Sequence, residues 1–183
     1  MRIVLVLLGI GVLVGLYVGF QYNALVRLRN RIESAWAQID VQLQRRYDLV
    51  PNLVETVKGY ATHEKQVLEN VTAARAAAVN AQGVAEQAKA ETGFTAALRS
   101  LFAVSEAYPD LKANTNFLAL QEELAGTEGR IAYARQFYND TVYRYNTKIQ
   151  SFPANMLAGA FRFSEREYFQ ADDESRGPTQ VSF

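Results

Sequence analysis

An apolar stretch at residues 3–20 constrains this chain more than any other feature of its sequence. It contains no charged and no strongly polar side chain, and no later segment repeats it. At about 1.5 Å of rise per residue such a helix spans roughly 27 Å, close to the ~30 Å hydrocarbon core of a bilayer. The sequence therefore predicts a single-pass transmembrane anchor over residues 1–22, which holds the rest of the chain beside membrane lipid.

A cleaved signal peptide is the alternative interpretation of this stretch. Arg2 would be its basic region and the apolar residues its hydrophobic region. The stretch is long for that purpose, however, and residues 18–22 offer no small-x-small cleavage site. The pattern favours a retained anchor.

Three glycines recur at four-residue intervals inside the stretch: Gly11, Gly15 and Gly19. On a helix this spacing places them on one face, where small residues let two backbones approach closely in lipid. Glycine is also common in membrane spans in general. Because two consecutive GxxxG units follow each other here, we expect packing of the spans and a homo-oligomer.

Basic residues near the stretch bear on its orientation. Arg27, Arg29 and Arg31 follow it, whereas Arg2 and the α-amine precede it. The positive-inside rule then favours a cytoplasmic location for the larger part of the chain. The difference is small, so an extracytoplasmic location stays open.

The rest of the chain shows a helical pattern, punctuated by prolines at 51, 109, 153 and 178. An apolar stripe predicts a first helix from the anchor to a polar break at residues 45–48. Asp48 would cap a second helix, with Pro51 in its first turn, that passes into the alanine-rich residues 73–90, which Gly83 interrupts. A third helix is predicted over 95–107, and a fourth over 114–152 with a coiled-coil-like seam.

These patterns predict an all-α fold. We expect the transmembrane helix to continue into an elongated antiparallel four-helix bundle over residues 23–152. Residues 153–183 would form an irregular tail with an acidic cluster at 172–174. Its aromatic residues are candidates for docking on the bundle, which we favour, or for binding something else: Phe161, Phe163, Tyr168, Phe169 and Phe183.

Residues that could carry catalysis are scarce. There is no cysteine and a single histidine, His63, which excludes thiol chemistry, zinc knuckles and iron–sulfur clusters. His63-Glu64 is followed by Lys65, Gln66 and Val67, so the HExxH zinc pattern fails. There is no G-x-S-x-G motif or glycine-rich phosphate loop, and 19 basic against 19 acidic residues give no basic excess for nucleic acid. We therefore expect no enzyme activity, no cofactor, no metal site and no nucleic-acid partner.

Polar residues flank the two predicted turns that an up-down bundle would place at its membrane-distal end. They form one candidate cluster, either for a protein partner or, as the favoured interpretation, for mutual capping of helix ends: Asp40, Arg45, Arg46, Asp48, Asp110, Lys112 and Asn114.

Several motifs of this chain closely resemble the LemA family over essentially its whole length. They are Tyr22-Asn23, Trp36, residues 39–54, residues 58–61, His63-Glu64, residues 108–114, Asn116-Phe117, residues 135–139, residues 145–147, Tyr168-Phe169 and residues 181–183. The resemblance implies a bacterial membrane protein with one N-terminal span, an elongated helical bundle in the cytoplasm and no attached enzyme activity. Some relatives carry a lipobox cysteine near the position of Phe20, so the family does not settle the side of the inner membrane.

Two functions are compatible with the sequence. The first is a non-enzymatic, membrane-anchored scaffold that self-associates through its span and bundle; a LemA-like protein takes part in forming magnetosome membranes, so shaping membrane is an expectation by analogy. The alternative is a monomeric membrane-tethered adaptor or envelope sensor that binds a protein partner at the membrane-distal end of the bundle.

Overall fold

The computed structural model describes residues 1–170, and within that range the chain is all-α, as predicted. Its helices are α1 (Arg2–Lys58), α2 (Lys65–Asn80), α3 (Val84–Ser105), α4 (Pro109–Lys112), α5 (Thr115–Gln150) and α6 (Ala154–Ala160). The N-terminal part of α1 is long and apolar enough to cross a membrane, and none of that window is buried. The predicted domain limits at residues 22 and 152 stay predictions.

The predicted break at residues 45–48 is wrong, because α1 continues through it to Lys58. Arg46 and Tyr47 are buried there instead of facing solvent in a turn. Pro51 lies inside the helix and not in the first turn of a new one. The chain leaves α1 at Gly59 and reaches α2 through a short turn.

The alanine-rich region also differs from its prediction. It divides into α2 and α3, which pack against each other. Gly83 has φ of +81°, a left-handed conformation that glycine adopts without steric cost, and it lies directly before α3. The predicted start of a helix at residue 95 is therefore wrong by eleven residues, because the chain reverses at Gly83 and α3 begins at Val84.

The long fourth helix of the prediction corresponds to α5, which begins and ends within two residues of the expected positions. Most of its predicted apolar stripe is buried: Phe117, Leu124, Thr127, Ile131, Ala134, Tyr138, Val142, Tyr145 and Ile149. The Asn114 side chain caps this helix, since its Oδ1 accepts hydrogen bonds from the backbone N–H groups of Asn116 and Phe117 at 2.9 and 3.0 Å.

The chain divides into two compact units. The first comprises Met1–Ala37 and Gln136–Glu167, and thus the start of α1, the end of α5 and α6. Within it the rings of Trp36 and Tyr138 lie 5.6 Å apart, edge to face. The segment after α6 is held by Asn146, whose side chain donates to the Arg166 carbonyl and accepts from the Arg166 N–H, both at 2.9 Å.

The second unit comprises Gln38–Arg135 together with the segment from Tyr168. It contains the remainder of α1, helices α2 to α4 and the first part of α5. Its core is aliphatic and aromatic, with a large share from α1 and α3: Leu43, Val50, Leu53, Val57, Phe94, Leu98 and Leu101. The candidate site described next lies in this unit.

Candidate functional site

A buried ion-pair cluster centred on Arg46 interrupts the apolar core of the second unit. Arg46 is only 1% exposed. Its Nη1 lies 2.7 Å from Oε2 of Glu91, and its Nη2 lies 2.5 Å from Oε1 of Glu128. Nη2 also donates to the Thr95 hydroxyl at 2.9 Å. The guanidinium and the Glu91 carboxylate thus pair away from bulk water, where an unpaired charge would be strongly unfavourable, whereas the Glu128 side chain is 45% exposed.

Tyr47 joins the cluster from the adjacent position of α1. Its hydroxyl donates to Oε1 of Glu91 and accepts from Nε2 of Gln87 at 2.9 Å. Burial, followed by the hydrogen bond and the negative charge of Glu91, raises the pKa of the Tyr47 phenol far above its usual range. The phenol is therefore a fixed hydrogen-bond donor that holds Glu91 in place.

An aromatic ring lies against both α1 residues. The centroid of the Phe94 ring is 4.8 Å from Cζ of Arg46 and 5.6 Å from the centroid of Tyr47. A guanidinium at this distance from a ring gains a cation–π attraction, and more of it when desolvated. Phe94 therefore stabilises the buried charge as well as packing in the core.

A pocket of about 310 Å³ opens beside this cluster. Its lining combines three arginines and two glutamates with small and apolar side chains: Arg46, Glu91, Thr92, Thr95, Ala96, Arg99, Glu128, Ile131, Arg135 and Phe169. The ionised side chains leave a net positive charge. Among the described residues the Nε of Arg46 has no hydrogen-bond partner.

Arg135 forms another wall of the pocket. Its Cζ lies 4.4 Å from the centroid of the Phe169 ring, and Phe169 is 2% exposed. Burial lowers the pKa of the Arg135 guanidinium, while the negative charges of Glu91 and Glu128 act in the opposite direction. The net positive charge of its lining makes the pocket suited to an anionic group.

The predicted polar cluster is divided by the structure. Asp40, Arg45, Arg46 and Asp48 lie within α1, and Arg46 is twelve residues, or about 18 Å, before its end. Arg45 pairs with Glu123 at 2.7 Å on the surface, and Asp48 accepts from Gln44 at 2.8 Å. Asp40 is exposed.

The other predicted members lie around α4. Lys112 pairs with Glu106 at 2.5 Å, and Asp110 is exposed in the first turn of α4. Asn114 donates to the Tyr60 hydroxyl at 2.9 Å. Residues 110–114 therefore meet the turn that follows Lys58, and not the region of Arg46, because the real end of α1 comes later than the sequence pattern suggested.

The aromatic tail residues have distinct environments. Phe161 and Phe163 lie against Tyr22 in the first unit, whereas Phe169 is buried beside Arg135 in the second. Tyr168 is half-buried. Phe183 and the acidic residues 172–174 lie outside the described residues.

Sequence reasoning missed most of the Arg46 cluster. Gln87 and Glu91 belong to a regular series of buried positions on α3, spaced four and three residues apart: Gln87, Glu91, Phe94, Leu98, Leu101 and Ser105. Two polar residues in an otherwise apolar stripe could thus have indicated a buried polar cluster. The stripe itself was hard to recognise because many residues around Gln87 are alanines.

Together these features define a class of protein: an all-α chain whose N-terminal helix is suited to span a membrane and whose helical core holds a buried arginine–glutamate cluster. The chain belongs to the LemA family, whose model matches residues 35–183. Among residues 1–170, no group of three or more histidine, cysteine, aspartate or glutamate side chains is placed to hold a metal ion.

Several characterised proteins are similar to this chain. It is 27% identical to magnetosome protein MamQ 2 of Paramagnetospirillum magneticum, over 88% of this chain and 68% of the relative. The values are the same for magnetosome protein MamQ of Magnetospirillum gryphiswaldense. It is 28% identical to protein LemA of Metamycoplasma hominis, over 96% of this chain and 80% of the relative.

Proposed function

We propose that this protein is a non-enzymatic scaffold of the bacterial inner membrane that associates with copies of itself through its span and its helical core. One observation carries the proposal: α1 passes without interruption from an apolar segment that has no buried residue to the buried residues of the core. Lateral contacts between two such anchors bring two copies of the chain together in the membrane. The similarity to two proteins named for the magnetosome supports a role in organising membrane.

The glycine face is the proposed contact within the membrane. A Cβ atom added at Gly11, Gly15 or Gly19 would meet no atom within 4 Å apart from its chain neighbours and the adjacent backbone of its own helix. The face is therefore open to a second helix, and packing of small residues drives such contacts in lipid.

The mass of the full-length protein in mild detergent tests this proposal, with Gly15→Leu as the variant. Gly9→Leu is the matched control, because Gly9 lies on a different face of the same helix and is equally open. We expect a defined multimer that dissociates in Gly15→Leu and persists in Gly9→Leu. A multimer unaffected by both variants would move the contact to the core, and a monomeric parent protein would overturn self-association.

Orientation is a separate part of the proposal. Arg27, Arg29 and Arg31 favour a cytoplasmic core by the positive-inside rule. Since the chain has no cysteine, Tyr133→Cys introduces a unique thiol at a side chain that is 72% exposed. Resistance to a membrane-impermeant maleimide in intact cells, with labelling after lysis, is expected; labelling of intact cells would contradict it.

A tethered adaptor is the second candidate, and the pocket beside Arg46 favours it. The exposed Arg99 and the half-buried Arg135 give this pocket two cationic groups with which a carboxylate of a protein partner would pair. The adaptor would be supported over the scaffold by two results together. The parent protein would be monomeric, and its protein partner would no longer bind Arg99→Glu but would still bind Arg130→Glu, which lies elsewhere on the surface.

A further inference from the structure

The segment that follows α5 carries large apolar side chains on its outside. Residues 152–161 contain no charged residue. In α6 the small residues Ala154 and Ala158 are buried. Three large side chains are exposed instead: Phe152 at 79%, Met156 at 68% and Phe161 at 49%. A helix that faces water normally has the reverse arrangement, with its large apolar residues buried.

This exposed surface contacts the end of the apolar part of α1. Tyr22 lies two residues beyond the apolar stretch. The ring centroids of Phe161 and Phe163 are 5.0 and 5.8 Å from that of Tyr22, both in edge-to-face geometry. When residues 3–20 span the bilayer, Tyr22 lies at the boundary between hydrocarbon and headgroups, and Phe161 lies there with it.

We propose that Phe152, Met156 and Phe161 form a membrane-interface surface, which inserts into the headgroup region of the same bilayer that α1 crosses. This inference rests on the anchor in the proposed function. Phenylalanine and other large apolar side chains are typical of the membrane-facing side of segments that lie in this region. An uncharged, apolar segment beside a span has lipid as its adjacent medium, so its exposed side chains avoid water by insertion.

The end of α6 is built to hold this surface against α1. The Arg162 N–H donates to the Gly159 carbonyl at 3.3 Å, and the Phe163 N–H donates to the Ala158 carbonyl at 2.9 Å. These two bonds form a Schellman motif, which normally has glycine at its left-handed position. Here Arg162 takes that conformation, with φ of 57°. The turn returns the chain so that both Phe161 and Phe163 reach Tyr22.

Two basic side chains lie close to the membrane-interface surface. Arg162 is exposed next to Phe161, and Cζ of Arg29 lies 5.8 Å from the centroid of the Phe163 ring. Guanidinium groups at this level are suited to pair with the phosphates of anionic lipids. The surface thus combines apolar side chains with flanking positive charge, as interfacial segments do.

Electron paramagnetic resonance of single nitroxide labels tests the proposal in the full-length protein. The protein is reconstituted into vesicles of phosphatidylethanolamine and phosphatidylglycerol. Because the native chain lacks cysteine, Met156→Cys, Leu13→Cys and Tyr133→Cys each carry one label. Oxygen, which concentrates in the bilayer, and a neutral nickel chelate, which stays in water, then report the surroundings of each label.

We expect the oxygen-to-nickel collision ratio at position 156 to be several-fold higher than at position 133 and lower than at position 13. Equal ratios at 156 and 133, with position 13 in the bilayer, would overturn the interface surface and leave the anchor intact. An aqueous label at position 13 would overturn both proposals. Protection of position 156 from both reagents would show that protein covers it, and would also overturn the inference.

Discussion

The Nε of Arg75 donates a hydrogen bond of 2.7 Å to the backbone carbonyl oxygen of Tyr47. In a regular helix that carbonyl would accept from the N–H of residue 51, four positions later. Residue 51 is a proline and has no N–H to donate. A side chain from α2 therefore supplies the bond that Pro51 cannot make, and α1 passes through the proline.

Removing this bond should destabilise the fold. We expect Arg75→Met to lower the free energy of unfolding by about 1–3 kcal/mol, because the half-buried Tyr47 carbonyl loses its partner. The same change in a Pro51→Ala background should cost less, since the alanine N–H can serve that carbonyl. Thermal unfolding of the four proteins, followed by circular dichroism in detergent, gives the coupling. Additive effects would contradict the compensation.

The stability of the fold should depend strongly on keeping Arg46 and Glu91 together, because each neutralises the other's buried charge. Arg46→Met leaves a carboxylate buried without its cation, and we expect a loss of about 3–5 kcal/mol in unfolding free energy. Adding Glu91→Gln should recover much of that loss. Arg45→Met, which breaks an exposed pair with Glu123, is the matched control and should cost under about 1 kcal/mol. A similar loss of stability in Arg46→Met and Arg45→Met would contradict the larger contribution of the buried pair.

The raised pKa of the Tyr47 phenol predicts how stability changes in alkali. The unfolded chain loses the phenol proton near pH 10, whereas the folded chain retains it to higher pH because of burial and Glu91. The contribution of Tyr47 is therefore complete below about pH 10 and decreases as the pH rises beyond it. Tyr47→Phe should be less stable than the parent at neutral pH, by about 1 kcal/mol for the lost hydrogen bond.

This dependence is measured by the unfolding midpoints of the parent and of Tyr47→Phe. Both proteins are unfolded at intervals of about half a pH unit from about pH 8 to about pH 11. The difference between the two proteins should become smaller above pH 10. A constant difference over the whole range would show that the phenol proton is not held more tightly in the folded protein.

The Asn114 cap should contribute to the stability of α5. Asn114→Ala removes the acceptor for two backbone N–H groups, and we expect a loss of about 1 kcal/mol. Asn114→Asp keeps the acceptor and should retain most of the stability, because its second carboxylate oxygen can also accept a hydrogen bond from the Tyr60 hydroxyl. Asn116→Ala is the control, because Asn116 lies only two residues later and its side chain is exposed. Equal losses in the alanine and aspartate variants would contradict the cap, because only the aspartate variant keeps an acceptor for the two backbone N–H groups.

Much of the helical content could be predicted from the residues alone. The stripe from Phe117 to Ile149 repeats at helical spacing, so α5 was predicted with accurate ends. The apolar stretch at residues 3–20 was equally decisive, because length and composition alone make it suitable to span a bilayer. Such features depend on local periodicity, which the sequence displays directly.

The course of α1 through residues 45–51, by contrast, depends on side chains that are distant in sequence. Arg45-Arg46 and Pro51 predict a break when only neighbouring residues are considered. The helix continues because Glu91 and Glu128 neutralise Arg46 and because Arg75 satisfies the Tyr47 carbonyl. Sequence by itself determined the helical class, the apolar N-terminal segment and the last long helix; only the tertiary structure decided where α1 ends and which charges are buried, since both depend on partners that folding brings together.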